Sequence, residues 1–151
     1  MTRGPRKTLW VAVMDGSKGL VFRNDGDAVY PVLKSVDIRD QDVPPDREIQ
    51  SDKPGRVFDR MGHRSAVDQG DAHEFAEKRF VERLIADLNA AALDGEFDQL
   101  LIYADSESLG EIREHYHDAL KSRLLEEFPL DVVNEPVDKL EKRVKIALRP
   151  D

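Results

Sequence analysis

Residues 71–104 read DAHEFAEKRFVERLIADLNAAALDGEFDQLLIYA. Asp71 stands where a helix cap is expected, with Glu74 three residues on, and Phe75, Val81, Leu84, Ile85, Leu88 and Ala92 recur at three- and four-residue spacing until Gly95 ends the pattern. That spacing predicts a long helix with one buried face. Phe97–Ala104 follows as an apolar run of strand length, which predicts a central strand. A helix that leads into a buried strand is half of a strand-helix-strand unit, so the stretch points to right-handed crossovers covering a sheet.

Working outward toward the C-terminus, Ser106 or Ser108 is expected to cap a second helix with Leu109, Ile112, Tyr116, Ala119, Leu120 and Leu124 on one stripe. Leu130–Glu135 is expected as a brief fifth strand. Pro136 suits the first turn of a last helix, where its missing donor costs nothing, and Val137, Leu140, Val144 and Leu148 share one face. Toward the N-terminus, Thr8–Met14 (TLWVAVM) and Leu20–Arg23 read as two strands joined by a tight turn at Asp15-Gly16-Ser17-Lys18-Gly19. Ala28–Ile38 reads as a third strand, with Pro31 pointing to an edge or a bulge. The expected fold class is α/β with an α+β-like order β-β-β-α-β-α-β-α, a mixed five-stranded sheet with helices packed on it. At 151 residues and 17.2 kDa, with no internal repeat, residues 1–151 are expected to form a single domain.

Between the two halves, residues 39–71 show neither helical nor strand period and are punctuated by Pro44, Pro45, Pro54, Gly55, Gly62 and Gly70. Loops beyond about 12–15 residues are uncommon in compact domains and usually carry function. Function is therefore sought here first. The net charge of −8 and pI near 5.0 disfavour binding nucleic acid through the whole surface, yet Lys53, Arg56, Arg60 and Arg64 outnumber Asp52 and Asp59 locally. Cations on a glycine-permitted backbone suit phosphate contacts. Arg79, with Lys78 beside it, is expected to face solvent and extend the patch, and Phe58 is the one aromatic within it. The competing reading is a solvated loop with ordinary ion pairs.

His73 and Glu77, four residues apart, form a candidate polar cluster with Asp52 and Asp71, but no second histidine completes a metal set, and helix-start carboxylates are the simpler reading. No metal and no cofactor are expected. His115 and His117, two apart on a helix, point in different directions and are read as surface residues. The absence of cysteine excludes thiolate chemistry and suits the cytoplasm, and the first apolar run is too short for an export signal or membrane insertion.

The run Ser51-Asp52-Lys53-Pro54-Gly55-Arg56-Val57-Phe58-Asp59, the later Asp71-x-His73-x-x-x-Glu77-Lys78, Leu109-Gly110-x-x-Arg113 and the opening Trp10-Val11-x-Val13-x-Asp15-Gly16-Ser17-Lys18 resemble the bacterial host attachment protein family. That family is similar to the central domain of archaeal and eukaryotic peptide-chain release factors, so the resemblance implies the same strand meander, long loop and long helix. In release factors the loop carries Gly-Gly-Gln into the ribosomal peptidyl transferase centre. This chain has no Gly-Gly-Gln, and Asp68-Gln69-Gly70 is its nearest echo. The resemblance thus implies a cytoplasmic, non-catalytic factor that binds RNA, tRNA or a ribosome-associated partner through Lys53, Arg56, Phe58, Arg60, Arg64 and Arg79. Two alternatives stand beside it. One is a protein-interaction module for host or surface attachment, anchored by Val57, Phe58 and Met61; the other is a hydrolase of a tRNA or nucleotide ester acting through Gln69 or His73.

Overall fold

The computed structural model describes residues 7–41 and 66–149, of which 66–71 are described by their backbone alone. Strand β1 (Leu9–Met14) lies at the centre of a five-stranded sheet ordered β3-β2-β1-β4-β5. It pairs antiparallel with β2 (Lys18–Asn24) and parallel with β4 (Gln99–Ala104). The antiparallel β3 (Leu33–Asp40) and the parallel β5 (Leu124–Phe128) form the two edges. The mixed five-stranded α/β sheet is thus the one expected.

All six residues of β1 are buried, which explains its unbroken apolar sequence: a strand covered on both faces has no solvent side to mark with polar residues. Trp10, Ala12 and Met14 enter one cluster with Val81, Leu84, Ile85 and Leu88 of α1 (Ala66–Leu93), Leu109 and Ile112 of α2 (Ser106–Arg113) and Leu120 of α3 (Asp118–Lys121). Leu9, Val11 and Val13 enter a second cluster with Val132, Val133 and with Leu140 and Val144 of α4 (Val137–Ala147). The result is three layers, helix-sheet-helix. Among the described residues, no helix is long and apolar enough to cross a membrane.

Several boundaries move. Helix α1 begins at Ala66, so Asp71 lies within it and not at its cap, and Gly70 is accommodated inside a 28-residue helix whose packing outweighs a propensity cost of about 1 kcal/mol. Arg39 and Asp40 belong to β3, paired with Gly19 and Lys18, which leaves 42–65 of the expected loop outside the described residues. The third strand starts at Leu33, after Pro31, and its bulge opposite Val21 and Phe22 turns Asp37 and Arg39 toward α1. Phe75, placed on the buried stripe by its spacing, is 59% exposed, because the stripe meets the sheet only from Val81 onward.

The second predicted helix is two short ones, and the fifth strand is Leu124–Phe128 instead of Leu130–Glu135. The helical spacing of Leu109, Ile112, Tyr116 and Leu120 concealed the break, because α2 and α3 cover the same apolar cluster. Buried Asn89 of α1 occupies the break: its Nδ2 donates to the His115 carbonyl (2.8 Å) and its Oδ1 accepts from the His117 N–H (3.0 Å). One side chain thereby satisfies two backbone groups that a continuous helix would have paired. Beyond it, Arg113 Nε and the Tyr116 hydroxyl both donate to the Glu127 carboxylate at 2.8 Å, tying the turn to β5.

Replacing Asn89 by Ala strands two backbone groups in the interior and is expected to cost about 2–4 kcal/mol, read from guanidinium unfolding. Burial pushes the Glu127 carboxyl up, but the hydrogen bonds from Arg113 and Tyr116 outweigh it and hold it below its ordinary value of 4.5. A carboxyl depressed in the folded state contributes stability that is present above its unfolded pKa and lost as pH falls through the folded one. Glu127→Gln is therefore expected to flatten the loss of thermal midpoint below pH 4.5, as measured in a pH series of melts.

Candidate functional site

Strands β1 and β4 run parallel and end side by side, at Met14 and Ala104. Each is followed at once by an aspartate, Asp15 and Asp105, and β5 is followed by Asp131. Open α/β sheets bind their ligands in the crevice beyond the carboxyl ends of such strands. Here that crevice is a cleft of about 670 Å³, whose far wall is α1 through Glu74, Phe75, Glu77, Lys78 and Val81, and whose floor includes Glu107, Ser108 and Glu111 of α2.

Local chemistry fixes the rim. Asp15 Oδ1 accepts from the backbone N–H of Ser17 (2.9 Å) and Lys18 (2.8 Å), closing the β1–β2 turn. Gly16 at its tip lies against α1, and a Cβ there would come 2.8 Å from the Glu77 side chain. Asp105 caps α2 by accepting from Ser108 N–H at 3.1 Å, while its second oxygen is buried with no hydrogen-bond partner. The cap expected at Ser106 or Ser108 is therefore Asp105, the residue that also carries charge into the cleft.

Seven carboxylates line this space against one ammonium, that of Lys78, which stands 3.9 Å from Glu111 Oε1. Such a concave negative surface attracts cations and repels phosphate. The Glu111 carboxyl is held below the usual range, first by its hydrogen bond with Glu82 and then by His115 and Lys78, against a burial that pushes it up. Among the described residues, Glu82, Glu111 and His115 also form the one cluster whose donor atoms converge closely enough for a metal ion.

Of the residues singled out by sequence, Asp52, Lys53, Arg56, Phe58, Arg60 and Arg64 lie outside the described residues, and Asp71 is placed by its backbone alone. His73 and Glu77 do meet, at 3.2 Å on α1, and Glu77 reaches the cleft. Arg79 is exposed, with its guanidinium 5.5 Å from the centre of the Phe75 ring. Lys78 is exposed as expected and also stands at the rim of the cleft, 3.9 Å from Glu111, while the run it was expected to extend lies outside the described residues. His115 and His117 do not join each other, but His115 meets Glu82 and Glu111. The sequence reading missed Asp15, Asp105 and Asp131. For Asp15 and Asp105 the signal was present, since each stands just past an apolar run in a parallel strand.

The sequence pattern that defines bacterial archaeo-eukaryotic release factor family 12 matches residues 8–144. Among solved structures, an archaeal translation termination factor aligns over 93% of this chain and 36% of its own, with 15% identity and a TM-score of 0.47. The chain thus spans about a third of that factor's length. No curated protein matches the sequence.

The two oxygens of Asp105 have separable roles. Asp105→Ala removes the cap and is expected to cost about 1 kcal/mol, whereas Asp105→Asn keeps an accepting oxygen for Ser108 and relieves a partnerless buried charge. Urea denaturation should therefore rank Asn at or above the native residue and Ala below both.

Proposed function

The chain belongs to bacterial archaeo-eukaryotic release factor family 12, and on that premise we propose that it is a translation-linked, non-catalytic factor that binds RNA or a ribosome-associated partner through the basic run ahead of α1. The observation that carries this reading is the family match across 8–144, which spans that run together with the sheet and helices on either side of it. Charge supports it. The cleft at the strand ends is lined by carboxylates that repel phosphate, so contact with nucleic acid falls to Lys53, Arg56, Arg60 and Arg64, with exposed Arg79 as a further cation. Phe58 lies within the same run. The chain also lacks the Gly-Gly-Gln that release-factor hydrolysis uses, which favours binding over turnover.

The finer part of the proposal, a role in attachment to host cells, rests on the resemblance of the Ser51–Asp59 run. It brings a rival partner, a protein held by Val57, Phe58 and Met61. The exposed ring of Phe75 at the cleft wall favours that rival, since it offers a partner protein an apolar contact.

Co-sedimentation with ribosomes and total RNA across a salt series separates the two. Each phosphate contact contributes about −0.7 to −0.9 to the slope of log affinity against log salt. The Arg56→Ala, Arg60→Ala double variant should therefore lose affinity and flatten the slope by about 1.4–1.8, with Phe58→Ala affected less. Absence of binding at low salt abandons the nucleic-acid reading, and loss confined to Phe58→Ala assigns the run to a protein.

A further inference from the structure

We propose that Glu82, Glu111 and His115 form a binding site for a divalent transition-metal ion of the Zn²⁺ class, which clamps α1 to the turn between α2 and α3. The three residues come from α1, from α2 and from the segment just after it, and their donor atoms all lie within 4.8 Å of one another. His115 Nε2 is 3.2 Å from Glu111 Oε2 and 3.5 Å from Glu82 Oε2. Ligands held at about 2.0–2.2 Å from a tetrahedral centre stand about 3.3–3.6 Å apart, so these separations already approximate the edges of a coordination shell. One imidazole nitrogen and two carboxylates suit a borderline ion, whose two charges the carboxylates balance.

Two further features single out this trio from ordinary ion pairs. Glu82 and Glu111 converge on the same imidazole nitrogen from two different helices, and their ligand oxygens lie within 4.8 Å of each other with, among the described residues, no cation side chain between them closer than Lys78. And the histidine is held from behind: Asn89, seven residues after Glu82 on the same face of α1, clamps the backbone on both sides of the turn, at the His115 carbonyl and the His117 N–H. Buried Asn89 thus positions the ligand-bearing chain without touching the ion, as outer-shell residues of metal sites do. The side chains of Glu82, Glu111 and His115 are 36%, 17% and 41% exposed, which leaves an entry path and room for water at the remaining positions. The carboxylates of the adjoining cleft add a field that concentrates cations. Lys78, 3.9 Å from Glu111, is the competing charge.

Titration of the full chain, stripped of metal, with ZnCl₂ in a calorimeter tests this, with the visible absorption of Co²⁺ as a second readout. One equivalent is expected. His115→Gln, Glu82→Gln and Glu111→Gln should each weaken binding at least about tenfold and diminish the Co²⁺ bands. Lys78→Met should tighten it, while His73→Ala and His117→Ala leave it unchanged. Zn²⁺ should raise the thermal midpoint of the native chain, a shift that Glu111→Gln loses while its circular dichroism stays native. Absence of a bound equivalent, binding that survives His115→Gln, or binding lost equally in His73→Ala overturns the site.

Discussion

The side chains of β1 alternate between two apolar clusters, Trp10, Ala12 and Met14 toward α1 and Leu9, Val11 and Val13 toward α4, so the strand leaves water only if helices cover both faces of the sheet. Each large apolar side chain buried this way contributes about 1.5–3 kcal/mol, and a helix layer missing on either side would forfeit half of them. The need explains the order of the chain. Strands β2 and β3 extend the sheet on one side by hairpins, while α1 must cross one face before β4 can pair parallel to β1. The last helix, α4, then closes the opposite face through Leu140 and Val144.

Parallel pairing of β1, β4 and β5 brings three strand ends, and therefore three following aspartates, to one side of the molecule. The cleft is a consequence of topology. Its negative lining includes Glu74 and Glu77 of α1, the helix that forms its far wall. Groups that favour cations therefore gather where the strands end.

A single buried amide links α1 to the turn between α2 and α3. Asn89 sits among apolar neighbours on α1, and its hydrogen bonds to the turn at His115–His117 let two short helices share a stripe drawn as one. Arg113 and Tyr116 then reach Glu127 on β5 from the same turn. The turn is over-determined, and this rigidity brings His115 back over Glu111 and Glu82.

Much of the architecture was legible in the chain itself. The apolar runs at Thr8–Met14 and Phe97–Ala104, the stripe from Val81 to Ala92 and Gly95 at its end gave the sheet, its long helix and the fold class, because burial of a strand or helix face must be written locally as period two, period 3.6 or an unbroken apolar run. Gly95 does adopt a positive φ of 72°. Tertiary structure alone decided what depends on residues far apart in sequence. The break between α2 and α3 hinges on Asn89, more than twenty residues upstream. The exposure of Phe75 follows from where the sheet ends, and β5 lies at Leu124–Phe128 because β4 offers its free edge there. The same holds for the cleft. Asp15, Asp105 and Asp131 are ordinary turn and cap residues in sequence, and only the parallel register of three strands makes them neighbours.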